Sequence, residues 1–88
     1  MPTYNGTGGA DNIIGSSGID YINGFGGHDT LSGGAGNDYI YPGSENDVAY
    51  GDQGNDLIDA GTVNTSLYSD NDTFYGGTGN DTLNGGNG

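Results

Sequence analysis

Neither lysine nor arginine occurs anywhere in these 88 residues, while aspartate and glutamate together number 12. Apart from His28 and the amino terminus, no carboxylate has a cationic partner within the chain. A surface of that sign repels phosphate, which excludes nucleic acid as a partner and disfavours an anionic membrane surface. Cysteine is absent as well, so disulfide staples and thiolate metal sites such as structural zinc are excluded. No apolar run is long enough for a membrane span or for the central part of a secretory leader. The 2 prolines and 21 glycines do not follow a three-residue period, which excludes collagen. The length leaves room for one domain.

What the chain does have is a period of nine. Its cleanest copies are Gly33 to Tyr41, GGAGNDYIY, and Gly76 to Asn84, GGTGNDTLN. Numbered one to nine, the unit is glycine, glycine, any residue, glycine, any residue, aspartate, then a three-residue tail with an apolar centre. The sixth-position carboxylates are Asp11, Asp20, Asp29, Asp38, Asp47 and Asp56, followed after a break by Asp72 and Asp81. Two residues after each stands the centre of the tail: Ile13, Ile22, Leu31, Ile40, Ala49, Ile58, Phe74 and Leu83, with only Ala49 weak. A disordered acidic tail would not need such a register, so the chain reads as a repeat protein.

Residues 1–5 form a lead-in, and 6–88 carry the repeat. Units begin at Gly6, Gly15, Gly24, Gly33, Pro42 and Gly51, the fifth being the poorest, with Pro42 at position one, Glu45 at position four and Ala49 in the core slot. From Ala60 to Tyr75 the register is irregular: one unit with an insertion, or two units with Leu67 in the apolar slot and Thr65 in the aspartate slot. Leu67 lies nine residues after Ile58, which favours the second reading. Gly85 to Gly88 opens another unit and stops in mid-repeat, as expected of a fragment.

Tails such as Tyr39-Ile40-Tyr41 are short strands with one inward residue between two outward ones. Heads such as GGAGND supply turns, since glycine costs too much entropy within a strand and accepts positive φ. Strands this short bury something only if the chain coils and successive turns stack. The expected fold is all-β, a parallel roll with about 18 residues per coil and strands roughly 4.8 Å apart. Tyr21, Tyr39 and Leu57 then make an outward ladder and Ile22, Ile40 and Ile58 an inward one. Asp20, Asp38 and Asp56 line one edge, and Asp11, Asp29 and Asp47 the other.

Like charges at that spacing repel unless a cation lies between them. Glycine-rich loops expose carbonyls, and two loops with their carboxylates make an oxygen-only cage that suits calcium better than magnesium or imidazole-seeking metals. The few apolar side chains cannot offset the entropy of ordering so glycine-rich a chain, so its missing stability is expected from a bound ion.

The units GGAGNDYIY and GGTGNDTLN resemble the nonapeptide GGxGxDxUx of the RTX family, the haemolysin-type calcium-binding repeats, over about nine-tenths of the chain. The resemblance implies a right-handed parallel β-roll holding about five or six calcium ions between loops two units apart. It implies as ligands the carboxylates of Asp11, Asp20, Asp29, Asp38, Asp47, Asp56, Asp72 and Asp81. To these it adds the turns of Gly24, Gly26, Gly33, Gly34, Gly36, Gly51, Gly54, Gly76, Gly77 and Gly79. The best sites join Asp20 to Asp38, Asp38 to Asp56 and Asp11 to Asp29; between Asp29 and Asp47 the loop backbone is expected to be altered by Pro42 and Glu45, with Glu45 a substitute ligand. Two units within 60–75 would pair Asp56 with Asp72, one unit would pair it with Asp81. The family further implies secretion to a calcium-rich exterior as part of a larger protein.

Elsewhere the chain offers little chemistry. His28 sits at a variable turn position, and the scattered serines lack a base and an oxyanion framework. Asn71-Asp72 near Asp70 lacks the spacing and final glutamate of an EF-hand loop. The outward tyrosines are β-formers. The expected function is calcium binding coupled to folding of a secreted module, not enzymatic catalysis. The alternative is a structural or adhesive surface, including an ice-binding one, against which the irregular threonine and asparagine positions argue. Edge strands at the ends of the roll are expected to favour self-association.

Overall fold

In the computed structural model, residues 1–61 and 71–85 are described. Among them the regular structure is nine strands of three residues each: β1 Thr3–Asn5, β2 Asn12–Ile14, β3 Tyr21–Asn23, β4 Thr30–Ser32, β5 Tyr39–Tyr41, β6 Val48–Tyr50, β7 Leu57–Asp59, β8 Thr73–Tyr75 and β9 Thr82–Asn84. Odd strands form one sheet in the order β1-β3-β5-β7-β9, even strands a second in the order β2-β4-β6-β8, and every pair is parallel. A parallel pair cannot be closed by a tight turn. From β1 to β7 each crossover is one glycine-rich loop, one strand of the facing sheet and a second loop, so the two sheets form the walls of a coil: a parallel β-roll.

The register is the one that the nine-residue period predicts. Tyr21 faces Tyr39, which faces Leu57, while Ile22, Ile40 and Ile58 form the inward column. Ile22, Leu31, Ile40, Ala49 and Ile58 are fully buried, with Tyr4, Ile13 and Phe74 packed partly against them. The core is thus a single file of side chains, one from each of β1 to β8; Leu83 of β9, expected in the same column, is 46% exposed because no described coil covers it. Outside it, the rings of Tyr21 and Tyr39 stack with centroids 5.1 Å apart, and those of Tyr50 and Tyr75 at 5.0 Å.

Two expectations change. The lead-in contains a strand: β1 pairs with β3 and sets Tyr4 opposite Ile22. Tyr4 stands nine residues before Ile13, a signal present in the sequence. The irregular segment counts as one unit, not two, because β6 pairs with β8 and β7 with β9, seven residues beyond the usual step. The in-step spacing of Leu67 is overridden by pairing of the flanking strands; Leu67 and Thr65 themselves lie outside the described residues.

Replacing Ile40 by alanine should cost the folded protein about 2–5 kcal/mol, the range for a fully buried aliphatic side chain. Ile14→Ala, at a residue 70% exposed, should stay within about 0.5 kcal/mol. Denaturant unfolding measures both, and equal losses would mean that the inward column is not the core.

Candidate metal centre

Five loops share one backbone path. Positions two and four are left-handed at Phe25 and Gly27, Gly34 and Gly36, Gly43 and Glu45, Asp52 and Gly54, and Gly77 and Gly79. At Gly36, with φ 103°, a Cβ would come 2.6 Å from the carbonyl oxygen of Gly18 in the coil below, so glycine is required by both conformation and space. Phe25, Glu45 and Asp52 hold φ of 70°, 75° and 71° with side chains attached, which is uncommon for any residue and an outlier for a bulky one.

The sixth-position aspartates are linked from coil to coil. The N–H of Asp20 donates to Oδ1 of Asp38 at 2.9 Å, that of Asp38 to Asp56 at 2.9 Å, and that of Asp56 to Asp81 at 2.9 Å. On the other edge Asp11 donates to Asp29 at 2.8 Å, Asp29 to Asp47 at 2.9 Å, and Asp47 to Asp72 at 2.9 Å. All eight predicted carboxylates therefore fall into two rows, and Asp56 faces Asp81, not Asp72. Pro42 and Glu45 do not alter their loop: its left-handed positions and its aspartate bond match those of the other loops. Proline has no N–H to contribute at position one but keeps its carbonyl, and the Glu45 carboxylate accepts the N–H of Gly27 at 2.7 Å.

Asp20, Asp29, Asp38, Asp47 and Asp56 are between 0% and 3% exposed, as deeply placed as the isoleucines. Yet the second oxygens, Oδ2, of Asp29, Asp38 and Asp56 are buried and accept no hydrogen bond. An ionised group cannot stay so without a large penalty; it demands a proton or a cation. The position-one glycines lie against these oxygens. A Cβ on Gly51 would lie 2.5 Å from Oδ2 of Asp56 and 2.7 Å from the carbonyl oxygen of Gly76. One on Gly24 would meet the Pro42 carbonyl and lie 2.6 Å from Oδ2 of Asp29, and one on Gly33 would strike Oδ2 of Asp38.

The polar neighbours at these positions are oxygens of carboxylates and main-chain carbonyls. Among the described residues no three His, Cys, Asp or Glu side chains come together; beside each of these carboxylates stand main-chain carbonyls. That donor set fits a hard divalent ion. Of the predicted glycines, Gly24, Gly33, Gly51 and Gly76 bound the cradle, while Gly34, Gly77, Gly36, Gly54 and Gly79 supply the left-handed turns. Gly26 does neither; a Cβ there would be in ordinary contact.

Burial is the main reason why Asp38 has its pKa pushed up to about 6, with repulsion from Asp56, Asp20 and Asp52 adding to it and the Asp20 N–H opposing it. Burial likewise raises Asp29 and Asp56. Position five also has a role that the sequence pattern did not show. The N–H of Asn55 donates to Oδ1 of Asn37 at 2.7 Å, that of Asn80 to Asn55 at 2.8 Å and that of Asn71 to Asn46 at 2.7 Å. His28 joins this ladder, its Nδ1 accepting the N–H of Asn46 at 3.2 Å. The run of asparagines at that position was the available signal.

In comparison with known protein families, residues 5–40, 41–67 and 68–88 match the RTX calcium-binding nonapeptide repeat (4 copies). No curated protein and no solved structure matches the chain.

Because the folded state raises the Asp38 pKa from the ordinary 3.8 to about 6, it binds that proton more tightly than the unfolded chain does. Protonation thus stabilises the metal-free fold, fully below pH 3.8 and vanishingly as pH rises through about 6. Metal-free protein should therefore gain β-structure by circular dichroism when acidified from pH 7 to pH 4. A spectrum unchanged over that range would show that the carboxylates are not held as described.

Proposed function

Because the chain belongs to the RTX calcium-binding nonapeptide repeat family, we propose that its carboxylate rows bind calcium and that this binding drives an otherwise unfolded chain into the roll. The observation that carries this reading is the buried, unpartnered Oδ2 of Asp29, Asp38 and Asp56. Stacked carboxylates repel across one strand spacing, and the repulsion grows as water is excluded. In the unfolded chain they are separated and hydrated. A calcium ion reverses the balance, since it stabilises only the state in which loops one coil apart come together.

The ions would be held by Oδ2 of Asp29, Asp38 and Asp56 with position-one carbonyls such as those of Pro42 and Gly76, which border the same space. Asp47, Asp72 and Asp81 extend the two rows. Calcium tolerates irregular oxygen cages, whereas magnesium demands a tight octahedron and keeps its waters. A net charge of −12 supports work in a calcium-rich exterior, where the rows fill; we place the module outside the cell, attached to a larger exported protein whose activity lies elsewhere. A flat adhesive surface is less well supported, because the outward row from Asn12 runs through Thr30 and Val48 to Thr73 rather than keeping a single residue type.

Chelator-stripped protein should pass cooperatively from coil to β by far-UV circular dichroism on titration with calcium, and magnesium at the same concentration should not replace it. A chain already folded without calcium at neutral pH, or equally folded by magnesium, would overturn the reading. Gly51→Ala, whose Cβ would enter the space beside Asp56, should weaken at least one calcium site about tenfold or more, close to 1.4 kcal/mol, as measured by calorimetric titration.

A further inference from the structure

The first two loops are built differently from those that follow. Thr7, Gly9, Ser16 and Gly18, at positions two and four, lack the left-handed backbone of the later loops. That change of hand reorients the peptide plane between positions one and two. In the first loop the N–H of Thr7 donates to Oδ2 of Asp11 at 2.6 Å, and its hydroxyl to Oδ1 of the same carboxylate at 3.1 Å. In the second, the Ser16 N–H donates to Oδ2 of Asp20 at 2.7 Å and its hydroxyl to Oδ1 at 2.8 Å. Each hydroxyl in turn accepts an N–H from within its loop, Gly9 at 3.1 Å and Gly18 at 3.2 Å.

Asp20 and Asp38 belong to one row and are equally buried, at 0% and 1% exposure, yet only Asp38 has an unpartnered oxygen. The difference follows from the sequence. One coil before Asp20 the aspartate slot is held by Pro2, whose carbonyl still accepts the N–H of Tyr21 at 2.9 Å but which has no N–H to offer Oδ1 of Asp20. The Ser16 hydroxyl supplies that missing donor, and the Ser16 amide covers the oxygen left open in the later loops. A cation approaching Asp11 or Asp20 through Oδ2 would meet the positive end of an N–H dipole.

We propose that Thr7 and Ser16 are end caps that take the cation's place, so that calcium occupies the two rows only from Asp29 and Asp38 onward. This rests on the calcium reading of the later loops and divides the eight in-step carboxylates into two capped ones and the remainder. In the calcium-loaded chain, the amide protons of Thr7 and Ser16 should be shifted downfield by NMR and protected from hydrogen exchange; free exchange at either would overturn the proposal. Native mass spectrometry of the full chain should count the same ions in Asp11→Asn and Asp20→Asn as in the parent, and at least one fewer in Asp29→Asn and in Asp38→Asn. An ion lost from either of the first pair defeats this inference alone, while a parent chain that binds no calcium defeats the reading on which it rests.

Discussion

Everything in this fold turns on a carboxylate with one oxygen satisfied and the other not. Oδ1 of Asp38 and of Asp56 each accepts the main-chain N–H of the preceding coil's aspartate, which fixes the side chain inward and pins one loop upon the next. Oδ2 of the same groups is buried without a donor. Anchoring and demand thus reside in one side chain: the bond that stacks the coils also presents the charge that must be neutralised. The small single-file core could not impose such stacking on its own, because five fully buried residues offset little of the entropy that so glycine-rich a chain loses on ordering.

The glycines serve two separate ends. Position-one glycines spare Oδ2 the crowding of a Cβ, and those at positions two and four let the backbone turn left-handed close over the coil below. The second end tolerates exceptions, as Phe25, Glu45 and Asp52 show by holding left-handed φ with side chains attached. Position one has an exception as well, Pro42, whose carbonyl still lies against Gly24.

Much of this could be read before any coordinates. A strict period of nine places one apolar side chain in each half-coil, and from that follow the strands, the inward column of Ile22, Ile40 and Ile58, and the two carboxylate rows. What escaped were features that periodicity does not encode. The asparagine ladder at position five depends on side-chain acceptors reaching across a coil; the recurrence of asparagine there hinted at it, but the spacing of the aspartates and apolar residues did not. Tyr4 lay in step but was passed over, as a phenol ring is not an obvious core residue. Leu67 pointed to the wrong count because spacing measured along the chain cannot distinguish an added unit from a longer crossover; strand pairing can. The exceptional build of the loops around Thr7 and Ser16 was visible only as an absence of glycine at position two, and its meaning needed the backbone.

The bonds from aspartate to aspartate and from asparagine to asparagine each join one coil to the coil after it, and the strands do likewise. No described element reaches past its nearest neighbour to tie distant coils together. A molecule of this kind has no mechanical keystone. Drawn out by its free end, it pays off like yarn from a bobbin, each coil releasing about 60 Å of chain while the coils behind it stay wound.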